Sequence, residues 1–527
     1  MSPRTLSLSS TIAVTVAAIG AVSAAALADE IGYDALVARL AGQTVPSGLG
    51  IRLGQVEAAA TPPVYSPDQT HSEFAGRVFT AQSGVPQVSS HATYVGLQFY
   101  GNPTSVARGV PQVHLWEANS FINSTLRYGA GSTNPPLAPP STALKVYNHS
   151  WIGGAGGTPT PIAADNEILR RADFAMNRDD VLYTLGMNNG GASATYPLMA
   201  MGYHGLSVGL TGGGHSHGDV PTGGDGVGRM KPEIVAPGSA TSWATPVVGA
   251  CAALLFETAA THPSLSLNPN ADETVVIKAA LMAGANHRVG WTNNPQTSGA
   301  ARGVTAKPLD AIYGVDVVNI DRAHQVLTGG ERDGAATSAA ATVPVGASGW
   351  DFELIPVSVS RYWRLQVTQP VAELSVVATW HRTQSTSIVV PTVPNIDLTL
   401  YRTDAAGTLT PVEGDAGAVY YATGNVASRS TVDNVEHLYI TGLTPGDYMI
   451  EVKRAGAPLV GTPPFALAWY SPAPAFDIAD LNQDGVVDGL DMTVILSNWL
   501  GTGAGDINAD GIVDGLDLTF VLSGWSA

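Results

Sequence analysis

The chain has a single cysteine, Cys251, in 527 residues. No internal disulfide is possible, so a fold outside the cell must rest on apolar cores and bound ions. Cations are also scarce. Lys and Arg number 25 against 43 Asp and Glu, a formal charge of -18. Phosphate backbones and anionic membrane surfaces are held by clustered cations. That balance argues against a nucleic-acid or acidic-lipid partner. Beyond the N-terminus the sequence offers no run that reads as a bilayer span.

What is present begins with a processing signal. Arg4 precedes the apolar run "IAVTVAAIGAVSAAALA", which ends in Ala26-Leu27-Ala28, a small-x-small pattern, just before Asp29 and Glu30. This predicts a signal peptide over 1–28 and a secreted, soluble mature chain, in the medium, at the cell surface or in the periplasm.

Residues 29–330 alternate strand-like runs with helical stretches. "GIRLGQVE" and "DVLYTLGMNNG" read as strands, "DNEILRRADFAM" and "ATPVVGACAALLFETAA" as helices. The alternation predicts an α/β domain with a mainly parallel sheet and helices on both faces. Its sites would form at the C-terminal ends of strands. A Gly/Ala/Ser/Thr-rich stretch, 331–347, reads as a linker. Over 348–470 the period changes to two, as in "NIDLTLYR" and "DYMIEVK", and predicts an all-β sandwich. Residues 471–476 are a Pro-rich connector, and 477–527 form a small α-helical module with an internal repeat.

In that repeat "DLNQDGVVDGLDMTVILSNW" recurs as "DINADGIVDGLDLTFVLSGW". Each copy spaces oxygen ligands as a 12-residue calcium loop does. They are Asp480, Asn482, Asp484, Asp488 and Asp491 in the first copy. In the second they are Asp506, Asn508, Asp510, Asp514 and Asp517. Val486 and Ile512 would each add a backbone carbonyl, and Gly485 and Gly511 hold the sharp turn. An apolar helix ending at Trp499 or Trp525 follows each loop. So many carboxylates in one loop repel each other unless a cation binds, so calcium and folding should be coupled. With two such loops, each ending in Asp and leading into a helix, the tail resembles a dockerin module. That resemblance implies two Ca2+ ions and docking to a cohesin-like domain or a cell-surface component.

Ser242 lies in "KPEIVAPGSATSWATPVVGAC". By itself it reads as an ordinary N-cap serine of a buried helix. The flanks, however, resemble the subtilisin-like serine peptidase family, with K-P-D-[IL]-V-A-P-G followed by G-T-S-x-A-[TS]-P. The resemblance runs from about residue 50 to 327 and implies that Ser242 is the nucleophile. It places the base at His91 in "HATYVG" and the oxyanion donor at Asn188 in "LYTLGMNNG", with Asn189 as the rival. The orienting acid falls at Glu57, which ends "IRLGQVE", with Asp68 as the rival. "VYNHSWIGG" is similar to the family's substrate strand, so Ser150, Trp151 and Gly153 are the candidate peptide-binding residues, although an internal buried strand reads equally well. The order Glu57, His91, Ser242 is the family's acid, base, nucleophile order.

The chain departs from the pattern around each of these three residues. Glu57 stands for Asp, Ala92 and Tyr94 for the Gly and His of the base motif, and Ala240 for the Gly two residues before the nucleophile. The resemblance implies a secreted serine endopeptidase acting on protein or peptide, with no cofactor in catalysis. The competing reading is a catalytically inactive subtilisin-like domain in an adhesion or scaffolding protein.

Overall fold

The computed structural model describes residues 28–525 apart from 60–62, 156–159, 192–195, 369–370, 383–387, 389–391, 418–422, 457–461, 463, 473–478, 483–485, 504 and 509–510. Residues 1–27 of the expected signal peptide, Asp484, Gly485, Asp510 and most of the connector 471–476 lie outside the described residues.

The first part is an α/β domain. Its strands are β1 (Arg52–Glu57), β2 (Val78–Ala81), β3 (Gln112–Glu117), β4 (Val146–His149), β5 (Leu182–Gly186), β6 (Leu206–Leu210) and β7 (Ile234–Ala236). They form one seven-stranded sheet in the order β7-β6-β5-β4-β1-β3-β2, with every pairing parallel. Side chains alternate between faces along each strand. Leu53, Val146 and Leu182 enter one apolar core, while Val56, Tyr147 and Tyr183 enter another. Both faces are therefore covered. α1 (Ser90–Tyr100), α3 (Thr241–Thr261), α4 (Thr274–Ala283) and α5 (Ile320–Thr328) pack on the first, and α2 (Ala163–Asp179) on the second.

Helix α3 corrects one expectation. At 21 residues it is long and apolar enough to cross a bilayer by composition alone, yet 89% of its most apolar window is buried inside the protein. Its evenly apolar surface is that of a central core helix.

The "KPE" of the Ser242 stretch has a structural role of its own. Glu233 Oε1 accepts from Lys278 Nζ at 2.7 Å, and Oε2 pairs with Lys231 Nζ at 3.2 Å and accepts from the Ser207 N–H at 2.9 Å. All three charged side chains are buried. Burial alone would raise the Glu233 carboxyl. The two ammonium groups outweigh burial and hold it down at about 2. Glu233→Ala would leave two buried ammonium groups without a counter-ion. It is expected to cost about 3–5 kcal/mol of stability, read as a lowered denaturant midpoint.

The second part is built from β-strands. β8 (Ser348–Leu354), β14 (Pro464–Tyr470), β10 (Val371–Trp380) and β12 (Val435–Leu443) run in that order in a five-stranded antiparallel sheet. β11 (Asn395–Thr403), β13 (Gly446–Ala455) and β9 (Ser360–Val367) are the centre of a mixed sheet. One apolar core, with Trp363, Trp380, Leu398 and Trp469, draws on both sheets. The outer face of the antiparallel sheet joins the core of the α/β domain through Trp350, Val377, Ala466 and Ala468. A buried ion pair also crosses the boundary, Arg382 Nη2 to Asp173 Oδ2 at 2.7 Å. The stretch 331–347 is pinned as well, since the Arg332 N–H donates to Trp350 O at 2.8 Å and the Ala335 N–H to Tyr362 O at 2.9 Å. The chain ends in two short helices, α6 (Gly489–Ser497) and α7 (Gly515–Ser523).

Candidate active site and calcium loops

The candidate residues gather at the C-terminal ends of the central strands. Glu57 is the last residue of β1, and the β1–β4 register pairs Val56 with His149, one residue before Ser150. His149 in turn pairs with Leu185 of β5, three residues before Asn188. Ser242 is the second residue of α3, just after the loop that follows β7.

Glu57 is 1% exposed. Its Oε2 accepts from His91 Nδ1 at 2.7 Å and its Oε1 from Gln55 Nε2 at 2.9 Å. The longer acid therefore reaches the imidazole and is held at both oxygens. Gln55 Nε2 also donates to Ala92 O at 2.8 Å, and the Tyr100 hydroxyl donates to Gln55 Oε1. Asp68 is engaged elsewhere, its Oδ1 accepting from the Thr70 hydroxyl at 2.7 Å. Gln55 and Tyr100 belong to no motif in the sequence. The signal was there for Gln55, which shares a strand face with Glu57 at a spacing of two.

His91 is the second residue of α1, whose N-cap Ser89 accepts from the Ala92 N–H at 3.2 Å. Burial disfavours imidazolium, but the Glu57 carboxylate and its hydrogen bond outweigh it, so the imidazole is raised above its ordinary value of 6.5. His91 Nε2 is buried and makes no hydrogen bond. The ring lies 5.2 Å from that of Trp243, which also meets Tyr94 at 5.7 Å. His149 is no rival base, because complete burial pushes it down to about 3.

Ser242 does not cap α3. Ala240 occupies the cap position at φ -150, ψ 154, an extended conformation open to any L residue. The substitution of Ala for Gly there is therefore unstrained. The tight approach falls at Gly238, where a Cβ would lie 3.1 Å from Ala244 N. In place of a capping serine, Asn189 Oδ1 accepts from the Thr241 N–H at 2.8 Å. Asn189 thus secures the helix start. Ser242 is 7% exposed. Its hydroxyl donates to Ser150 O at 3.4 Å, and the Ser150 hydroxyl donates to Ser242 O at 3.0 Å. Ser242 is not hydrogen-bonded to His91.

Asn188 is buried, with its N–H donating to Ser216 Oγ at 3.2 Å and its carbonyl accepting from the Ser216 N–H at 2.9 Å. It borders a cavity of about 160 Å³, lined also by Met187, Tyr196, Ser216 and His217 but not by Ser242 or His91. Ser150 and Trp151 are buried, and Gly153 O accepts from the Leu198 N–H at 3.1 Å.

In the tail both terminal loop carboxylates fold back on their own loops. Asp491 Oδ1 accepts from the Asn482 N–H at 3.0 Å and Oδ2 from the Asp488 N–H at 2.8 Å. Asp517 Oδ1 accepts from the Ile507 and Asn508 N–H groups at 2.7 and 3.1 Å, and Oδ2 from the Asp514 N–H at 2.8 Å. Both are 0% exposed. Asp488 and Asp514 cap α6 and α7. Asp480 and Asp506 open the two loops, and Asp506 Oδ2 accepts from the Gly511 N–H at 2.9 Å. Val487, Val513, Ile495 and Val521 join the two halves in one small core. Val486 and Ile512, the expected carbonyl donors, point their side chains outward, at 43% and 38% exposed.

No family model matches the chain, and no curated protein matches it.

Proposed function

We propose that the chain is a secreted, subtilisin-like serine endopeptidase with a β-sandwich behind its α/β domain and a dockerin-like calcium tail. The observation that carries this reading is the Glu57–His91 pair at 2.7 Å, held at the strand ends beside the first turn of α3. Ser242 Oγ attacks the scissile carbonyl and His91 Nε2 takes its proton. Glu57 holds the tautomer and stabilises the imidazolium. The Ser242 N–H, which has no carbonyl partner in a first helical turn, and the Asn188 amide receive the oxyanion. His91 then returns the proton to the departing amine, and water, deprotonated by His91, releases the acyl group. To meet His91 the hydroxyl would have to turn away from Ser150 O. That bond, at 3.4 Å, is long and weak, and such contacts tighten in the substrate complex.

A second reading rests on the same hydroxyl. Turned to Ser150 and unbonded to His91, it also suits an inactive domain in an adhesion or scaffolding protein. Hydrolysis of a mixed peptide pool, with products read by mass spectrometry, separates the two. An unprocessed pool contradicts the enzyme.

His91 must be neutral to act as base. Because its pKa is raised, the acid limb of kcat/KM is expected above pH 6.5, and Glu57→Gln is expected to move the residual limb to lower pH. A pH–rate profile of both proteins checks this.

In the tail, Asp480, Asn482, Asp484, Val486, Asp488 and Asp491 would hold one Ca2+, and Asp506, Asn508, Asp510, Ile512, Asp514 and Asp517 a second. The donors are oxygens throughout, as a hard cation requires. The ions would neutralise the loops, leaving α6 and α7 to meet a cohesin-like or cell-surface partner.

A further inference from the structure

A third cluster of carboxylates lies far from both sites in sequence. Glu331 and Asp333 follow α5, and Asp351 sits in β8. Each brings a carboxylate oxygen to within 4.8 Å of the others. Acidic side chains often gather on surfaces, and proximity alone would mean little. Asp351, however, is 0% exposed. Its Oδ2 accepts from the Gly334 N–H at 3.0 Å, while its Oδ1 is buried and makes no hydrogen bond. A buried carboxylate oxygen without a partner is costly and calls for a ligand. Arg361 is engaged by Glu353, its Nε pairing with Oε2 at 2.7 Å.

The surroundings are built to hold the cluster. Asn268 Nδ2 and Asn270 Nδ2 donate to the two oxygens of Glu331 at 2.7 and 2.8 Å. These amides fix the carboxylate as outer partners fix a metal ligand. The turn that carries Asp333 is anchored by Trp363 Nε1, which donates to Arg332 O at 2.7 Å. Gly334 packs so closely under the Trp363 ring that a Cβ would lie 2.5 Å from it.

We propose that Glu331, Asp333 and Asp351 form a calcium site that ties the end of the α/β domain to the first strand of the β-sheet region. The donors are carboxylate oxygens with no nitrogen or sulfur, which selects a hard cation. Three carboxylates from two separate segments, the 331–333 stretch and β8, suit the larger, more flexible shell of Ca2+ better than the strict octahedron of Mg2+. The ion supplies the partner that Asp351 Oδ1 lacks. It also joins the loop after α3, the stretch 331–334 and β8 at one point.

The test uses the full chain stripped with chelator, then titrated with calcium chloride, with bound ions counted by equilibrium dialysis. Wild type is expected to hold one ion per chain more than Asp351→Asn. Asp333 is exposed, so Asp333→Asn leaves the packing intact. It is expected to weaken one class of sites by at least about tenfold, and it decides the matter alone if Asp351→Asn fails to fold. Asp480→Ala and Asp506→Ala mark the tail ions. A tail that binds nothing lowers every count equally and leaves the difference unchanged. Equal counts and equal affinities in wild type and Asp333→Asn overturn the proposal.

Discussion

Ser242→Ala is expected to lower peptide hydrolysis by about six orders of magnitude, and His91→Ala by nearly as much, because nucleophile and base act as one unit. Glu57→Gln should cost about 10^4-fold by favouring the wrong tautomer. The residual rate in each variant reflects the oxyanion donors and binding, so the losses will not add. Glu57→Asp restores the residue of the subtilisin-like pattern but shortens the side chain. The 2.7 Å contact to His91 depends on the present length. We therefore expect Glu57→Asp to lower kcat rather than raise it. Single-turnover kinetics on one peptide, with folding checked by near-UV circular dichroism, measures all four variants. A Ser242→Ala protein as active as wild type would end the triad account.

Asp491→Ala and Asp517→Ala should each abolish calcium binding in their own loop and melt the helix that follows. Each side chain receives two or three backbone N–H groups of its loop while fully buried. Removal therefore deletes a proposed cation ligand and also orphans buried donors, at about 1–3 kcal/mol for each group left unsatisfied. The core shared by the loops rests on few side chains, chiefly Val487, Val513, Ile495 and Val521. A core that small cannot absorb such a loss. Chelation of the wild type should have the same outcome in both loops at once. Calcium-dependent protection of α6 and α7 from hydrogen exchange in the full chain reads the effect. Protection that is equal with and without calcium would contradict it.

The alternating segments of the α/β domain were legible because most of the strands bring apolar side chains to both faces, and the helices are apolar on one side, as in α2, or throughout, as in α3. Leu182 and Tyr183 illustrate the strands, entering opposite cores from adjacent positions. The period-two runs were legible for the same kind of reason. Ile396, Leu398 and Leu400 alternate into one core. The attachment of the β-sheets to the α/β domain was not legible. It depends on Trp350, Arg382 and Asp173, which are distant in sequence and carry no local period. Likewise the 331–347 stretch reads as a linker by composition, yet its backbone pairs with β8 and β9.

At the candidate site, motif spacing located Glu57 and His91 but not how they meet. The chain carries a longer acid, and whether that acid reaches the imidazole is a matter of backbone placement. Gln55 and Tyr100, which fix Glu57 in place, belong to no motif. The subtilisin-like pattern has glycine at the position of Ala240. Its extended φ and ψ show why alanine fits. Asn189, adjacent to Asn188, has a separate structural role through its contact with the Thr241 N–H.

The central claim is that Ser242 is a nucleophile activated by His91. Treatment of the folded, full-length chain with a fluorophosphonate, followed by peptide mapping, tests it most directly. The account predicts one adduct, on Ser242, formed faster above the His91 pKa than below it and absent from His91→Ala. Folded protein that carries no adduct on Ser242, or that labels equally without His91, would contradict it.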